Sequence, residues 1–230
     1  LNIDNFSDFF NDSLALLVTA VIVAAYHLYL RHLTRRDSSA VLSKFAAEAR
    51  RAWVVSMMST PDSSLIAIHT LRNSTMAATF LASTAVLLMV GVMTLSGQSP
   101  ALKETWHALN FVGTLRPEVW LVKLLTMLAV LFFTFFCFSN AIRIFNHVGY
   151  LINVRDSISG DCRYSATLVA SELNRGGRFF SLGVRAYYYL VPLICWLFGP
   201  LYMVGSTIIL VTVMLPWVDR VPAPKEPREH

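Results

Sequence analysis

The chain has 230 residues, of which 55% are hydrophobic and only 14% charged, with a mean hydropathy of +0.55 and a net charge of +5. These values exclude a soluble globular domain and a disordered chain, and leave an integral membrane protein. Cys137, Cys162 and Cys195 show no paired spacing and read as reduced and structural.

The N-terminus carries Asp4, Asp8 and Asp12 with no Lys or Arg, so it lacks the basic region of a signal peptide. Residues 14–30 form an uncharged run of the right length for a first span, followed at once by Arg31, His32, Arg35 and Arg36. Acid before and base after predict an outer N-terminus. Asp37, Ser38 and Ser39 offer N-cap chemistry for a helix over 40–59. On its wheel Leu42, Phe45, Ala49, Trp53 and Met57 form an apolar stripe opposite Lys44, Glu48 and Arg51. That helix lies on the cytosolic membrane surface or on neighbouring helices.

After Pro61 comes the run that gives the chain its interest. Residues 66–95 are long enough to cross a bilayer yet carry His69, Arg72 and Asn73 at one end. Helical spacing puts His69, Asn73 and Met76 on one side with Arg72 beside them. Ser74, Ala78 and Ala82 recur every fourth residue, a pattern that lets another helix backbone approach closely. In the outer loop, Ser99 and Pro100 read as N-cap and first position of a short interfacial helix with Leu102, Trp106 and Leu109.

Residues 119–152 make the next span, and Lys123 near its outer end is expected to snorkel outward. Asn140, Arg143, His147 and Tyr150 share one face of its inner half, with Asn146 adjoining. Residues 156–161 read as a turn and 166–174 as a short helix stopped by Gly176 and Gly177. The last apolar stretch, 181–217, reads as one long span kinked at Pro192 and at Gly199-Pro200. The Pro-rich tail, 218–230, reads as disordered.

The expected fold is therefore all-α, a single helical domain over 1–217 with four transmembrane helices (14–30, 66–95, 119–152 and 181–217) plus interfacial amphipathic helices. Basic residues concentrate on the two inner loops, which predicts both termini on the outer side. This topology sets Arg72, Arg143 and Arg185 at one depth, surrounded by His69, Asn73, Asn140, Asn146, His147, Tyr188 and Tyr189. No Asp or Glu lies in these spans at that depth, and guanidinium groups bind phosphate or carboxylate through paired hydrogen bonds. The expected ligand is an anion, a phospholipid headgroup or a small ion. Paired membrane carboxylates, a nucleophile elbow, a phosphate loop and an HExxH motif are all missing, so no enzyme is expected. Neither a cofactor nor a metal is expected, since the histidines and methionines do not cluster at ligand spacing. Membrane lipids are the expected partners, and nucleic acid is not.

Several of these motifs together resemble domain-of-unknown-function family 599, membrane proteins of bacteria and plants. They are Arg51-Ala52-Trp53, Met57-Met58, Leu71-Arg72-Asn73-Ser74, Phe135-Phe136-Cys137, Ile142-Arg143 with Asn146, Leu151-Ile152-Asn153, Arg185 with Tyr188, and Trp196-Leu197-Phe198-Gly199-Pro200. The resemblance implies a helical membrane domain, in a bacterium that of the inner membrane, and carries no assigned activity. The functional expectation is a transport or lipid-binding module. Its alternative is a non-catalytic structural subunit of a homo-oligomer or larger membrane complex.

Overall fold

The computed structural model describes residues 3–36, 42–60, 63–97, 117–154 and 165–217. Among these, every regular element is a helix: α1 (Ile3–Arg36), α2 (Leu42–Ser59), α3 (Ser64–Gly97), α4 (Pro117–Leu151), α5 (Ala166–Phe198) and α6 (Pro200–Trp217). Four of them, α1, α3, α4 and α5, are long and apolar enough to cross a membrane, and α6 is a shorter apolar helix. The interfacial helix around Trp106, the 156–161 turn and the tail lie outside the described residues.

Helix α4 is the centre, packed against α3 on one side and α5 on the other. Of the small-residue seam read from the sequence, Ala78 and Ala82 are buried and Ser74 half-buried, and Ala67 and Ala85 join them inside. With no long side chains there, dispersion contacts between backbones supply the packing energy that hydrophobicity cannot supply in lipid. Across α4, glycines do the same work. A methyl group at Gly183 would sit 2.8 Å from the Phe138 ring, and one at Gly176 would sit 2.8 Å from the Phe145 ring. Phe138 cannot give way, because it is fully buried between the Phe180 and Tyr187 rings.

The sequence reading of Gly176-Gly177 as a helix stop is corrected here. Ser165 caps α5 with its hydroxyl accepting from the Leu168 N–H, and the helix then runs unbroken to Phe198, through both glycines and through Pro192. The glycines mark close approach rather than termination.

The single kinked span expected over 181–217 is also corrected. The chain breaks at Gly199, whose φ of 142° and ψ of 161° belong to a region that only glycine enters without strain. Pro200 then opens α6 as its first residue, where a missing N–H costs nothing. Helix α6 folds back: Met203 packs into the cluster containing Trp196 and Leu193, while Met214 reaches Tyr26 and Leu30 of α1. Helices α1 and α6 thus run side by side in the same direction. The described ends, Ile3 and Trp217, lie at opposite ends of the bundle, not on one side as the four-span reading expected.

One buried polar node ties this elbow to the rest. Trp196 would ordinarily offer its carbonyl to the N–H four residues on, but that residue is Pro200. The carbonyl instead accepts from the Gly199 N–H at 3.2 Å and from Lys123 Nζ of α4 at 3.1 Å. Lys123 also pairs with Asp12 of α1 at 3.2 Å, with only 2% and 4% of the two side chains exposed. Trp196 Nε1 donates to the same carboxylate at 2.8 Å, and the ammonium lies 5.3 Å from the indole ring centre. Lys123 was expected to snorkel; it stays inside because a carboxylate, an orphaned helix-end carbonyl and an indole ring meet it there.

Helix α2 packs along the first half of α5, with Val54 completely buried against Val169, Ala170 and Leu173. The expected stripe is only partly used: Trp53 and Met57 pack inward, whereas Leu42, Phe45 and Ala49 are exposed. Ala46, Ala47 and Arg50 are half-buried instead, with Arg50 lying over Gly177.

Two predictions follow from this packing. Lys123→Met leaves the buried Asp12 carboxylate without its ammonium counter-charge and is expected to lower stability by about 3–5 kcal/mol, whereas adding Asp12→Leu restores all but about 1 kcal/mol, read by thermal unfolding in detergent. Gly183→Ala is expected to cost about 1–3 kcal/mol in the same assay. Gly91→Ala, which meets nothing within 4 Å, should cost nothing.

Candidate functional site

Charge spacing defines where a bilayer fits. On α1 the uncharged stretch runs from Asp12 to Arg31, and on α4 from Lys123 to Arg143; each is about 30 Å of helix, the thickness of a hydrocarbon core. The buried Asp12–Lys123 pair therefore marks one boundary. Arg31 and Arg143 mark the other, which is also the end where α2 packs. Neighbouring helices agree on the level: Leu71 and Phe145 share a cluster, Gly176 abuts Phe145, and Gly177 abuts Arg50. Arg50, Arg72, Arg143 and Arg178 thus lie at about one depth, and Arg185 sits about 10 Å nearer the Lys123 end.

The ten residues singled out from the sequence do not converge on one pocket. His69, Arg72 and Asn73 stand on the face of α3 opposite its alanine seam, and all three are exposed. Arg143 and His147 point outward from α4. Asn140 spends its amide on its own helix, donating to the Phe136 carbonyl at 2.8 Å. Tyr188 is exposed, while its neighbours do the bridging: the Tyr187 hydroxyl donates to the Leu81 carbonyl of α3, and Tyr189 bonds His27 of α1 at 2.8 Å.

What does converge is a different set, gathered where α2 lies on α5. Arg50, Arg178 and Arg185 line a cavity of about 430 Å³ together with Ser43 and Ser181. Arg50 also borders a second cavity of about 620 Å³, shared with Asn73, Thr70 and Trp53. Of the sequence candidates, Asn73 and Arg185 belong here; Arg72 and Asn146 instead line a separate groove between α3 and α4.

Arg50 is the organising residue. Its Nε donates to Asn174 Oδ1 at 2.8 Å, and Asn174 Nδ2 returns a bond to the Ala47 carbonyl at 3.2 Å, so one carboxamide fixes both the guanidinium and the α2 backbone. A Cβ at Gly177 would lie 2.9 Å from Arg50 Cζ, so glycine at 177 leaves the space that the guanidinium occupies. Burial first, and then the charge of Arg178, lower the Arg50 pKa from its ordinary value. Among the described residues the only ion pairs are Lys123 with Asp12 and Arg175 with Glu172, so Arg50 has no carboxylate partner there. Two guanidinium groups held together in a partly buried cleft are stabilised by whatever anion enters it.

Sequence reading missed Arg50 and Arg178 because both fall between predicted spans, Arg50 on the helix over 40–59 and Arg178 on the second inner loop, where a basic residue is an orientation signal. The available clue was Gly176-Gly177 itself: a glycine pair amid helix-forming residues marks close approach as readily as a stop. No group of three His, Cys, Asp or Glu residues converges as a metal site among the described residues.

Fold and site together define an all-helical membrane protein with a basic cleft at one bilayer boundary. The chain matches the family described as protein of unknown function, DUF599, over residues 14–222, nearly its whole length, and it belongs to that family. No curated protein and no solved structure matches it.

Asn174 supplies one prediction. Asn174→Ala frees the Arg50 guanidinium and leaves the Ala47 carbonyl unpaired, with an expected loss of about 1–3 kcal/mol. Hydrogen exchange should accelerate across α2 while α4 keeps its protection.

Proposed function

We propose that this protein is a non-catalytic module that binds a phosphate-bearing anion in the α2–α5 cleft, with Arg50 and Arg178 as paired donors and Arg185 and Ser181 lining the deeper wall. The observation that carries this reading is Arg50: half-buried, oriented by Asn174 and lining one cavity with Arg178. A guanidinium whose Nε is already committed keeps its two terminal nitrogens for a ligand, and those are donors that a phosphate accepts. Depth favours an anionic phospholipid headgroup, because the cleft lies at the level where lipid phosphates lie. Basic residues crowd the same end of the bundle, which by the positive-inside rule is the cytosolic side of a plasma membrane, in a bacterium the inner one.

Binding of short-chain phosphatidylglycerol, phosphatidylcholine and inorganic phosphate to the purified protein tests the reading. Phosphatidylglycerol should bind, and Arg50→Gln and Arg178→Gln should each weaken it on the order of tenfold, the value of one charge-assisted bond. Inorganic phosphate competing for the same site would name a small anion as the ligand; failure to compete would name the lipid. Unchanged binding in both variants, each still folded, would sink the proposal and favour the structural-subunit alternative.

A further inference from the structure

The groove between α3 and α4 lies on a different side of the bundle from the α2–α5 cleft and is independent of it. It has a volume of about 770 Å³, within the range of pockets that hold organic ligands. Its composition is graded along its length. At the bilayer boundary it is lined by Arg72 and Asn146, with Tyr150 about 10 Å outside the Arg143 level; about 16 Å from Arg72 toward the bilayer centre it ends at Phe80 and Ser83. Thr79, between these ends, donates its hydroxyl to the Thr75 carbonyl at 2.9 Å, so the inner half of the groove behaves as apolar. Phe80 is 73% exposed, Tyr150 79%.

We propose that this groove is a binding site for one anionic glycerophospholipid, with the phosphate on Arg72 and an acyl chain along Met76, Thr79 and Phe80. Three features select this occupant. Arg72 is an exposed cation on a helix that crosses the membrane, and among the described residues it has no carboxylate partner. Asn146 and Tyr150 add neutral donors beside it, which suit a phosphodiester and its glycerol hydroxyls. The apolar half then runs inward along the helix axis, the direction in which the chains of a lipid hang from its phosphate. A soluble anion would use the first two features and leave the third without purpose. A second copy of this chain would have to bring a carboxylate to Arg72.

Native mass spectrometry of the full chain, released from micelles containing phosphatidylglycerol or phosphatidylcholine, tests the site. Wild-type protein should retain one phosphatidylglycerol in this groove besides the one in the α2–α5 cleft. Arg72→Gln should weaken that retention on the order of tenfold. Thr79→Trp, on the exposed side of α3, should expel the lipid by filling the inner groove while leaving Arg72 intact; Ser83→Phe serves the same purpose if that variant does not fold. Inorganic phosphate should not displace the lipid, and Arg50→Gln should leave it in place, which separates this site from the cleft. Equal retention by Arg72→Gln, equal retention of phosphatidylcholine by wild type, or no effect of filling the groove would each overturn the proposal. A dimer that loses its contact in Arg72→Gln, with no lipid lost, would assign the groove to a second copy instead.

Discussion

The arrangement of this protein depends on an ion pair in a place where ions are costly. Lys123 and Asp12 are all but inaccessible to solvent, and removing two charges from water is repaid only when geometry and supporting hydrogen bonds are good. Here the support comes from a backbone defect. Pro200 withholds the N–H that the Trp196 carbonyl would have used, leaving the negative end of α5 exposed to whatever cation reaches it, and Lys123 reaches it. The proline that ends α5 therefore also creates the site that holds Lys123, and Lys123 in turn holds Asp12. Through that chain α1, α4, α5 and the elbow to α6 meet at one point. The first and last described helices pack on each other through Tyr26, Leu30 and Met214, and the node, the His27–Tyr189 bond and the packing of Met203 on Leu193 and Trp196 fasten this pair to the central three.

At the opposite end, close packing decides which polar groups are available. Alanines on α3 and glycines on α5 bring both helices tightly onto α4, and this fixes the rotation of each. Once Ala67, Ala78 and Ala82 face inward, helical geometry sends His69, Arg72 and Asn73 outward. The same constraint on α4, whose buried residues include Ala141, Ile144, Phe145 and Val148, turns Arg143 and His147 away from the bundle. Arg50 is different because it comes from a helix that lies over a glycine, where the guanidinium can be half-buried without displacing a side chain.

Membrane class, helix content and the presence of four helices long enough to span were legible from hydropathy, because a bilayer imposes one period and a minimum length on any chain that crosses it. The small-residue seam of α3 was legible for the same reason: small residues at fourfold spacing have few other uses. Three readings failed where one residue type serves two purposes. A glycine pair signals a helix end or a close contact, and Gly176-Gly177 took the second. A lysine near a boundary snorkels or pairs, and Lys123 pairs because Asp12 lies far away in sequence but adjacent in space. Gly199-Pro200 reads as a kink or as an elbow, and the distinction rests on a φ angle that no spacing rule reports.

The candidate site shows why depth alone is a weak guide to convergence. Arg72 and Arg143 do share a level, but a helix has a perimeter as well as an axis, and residues at one depth on different faces never meet. Convergence requires that a neighbouring helix cover the face in question. Helix α2 does this for α5 and for Asn73 of α3, setting Arg50 in one cavity with Arg178 and in another with Asn73, while Arg143 stays exposed. An arginine covered by protein is held in one orientation and is desolvated, so its interaction with an anion gains from both preorganisation and a lower local dielectric. One facing the lipid gains only from what the bilayer supplies. The same side chain at the same depth is therefore an oriented donor at position 50, while at position 143 it is a ring of charge at the membrane edge.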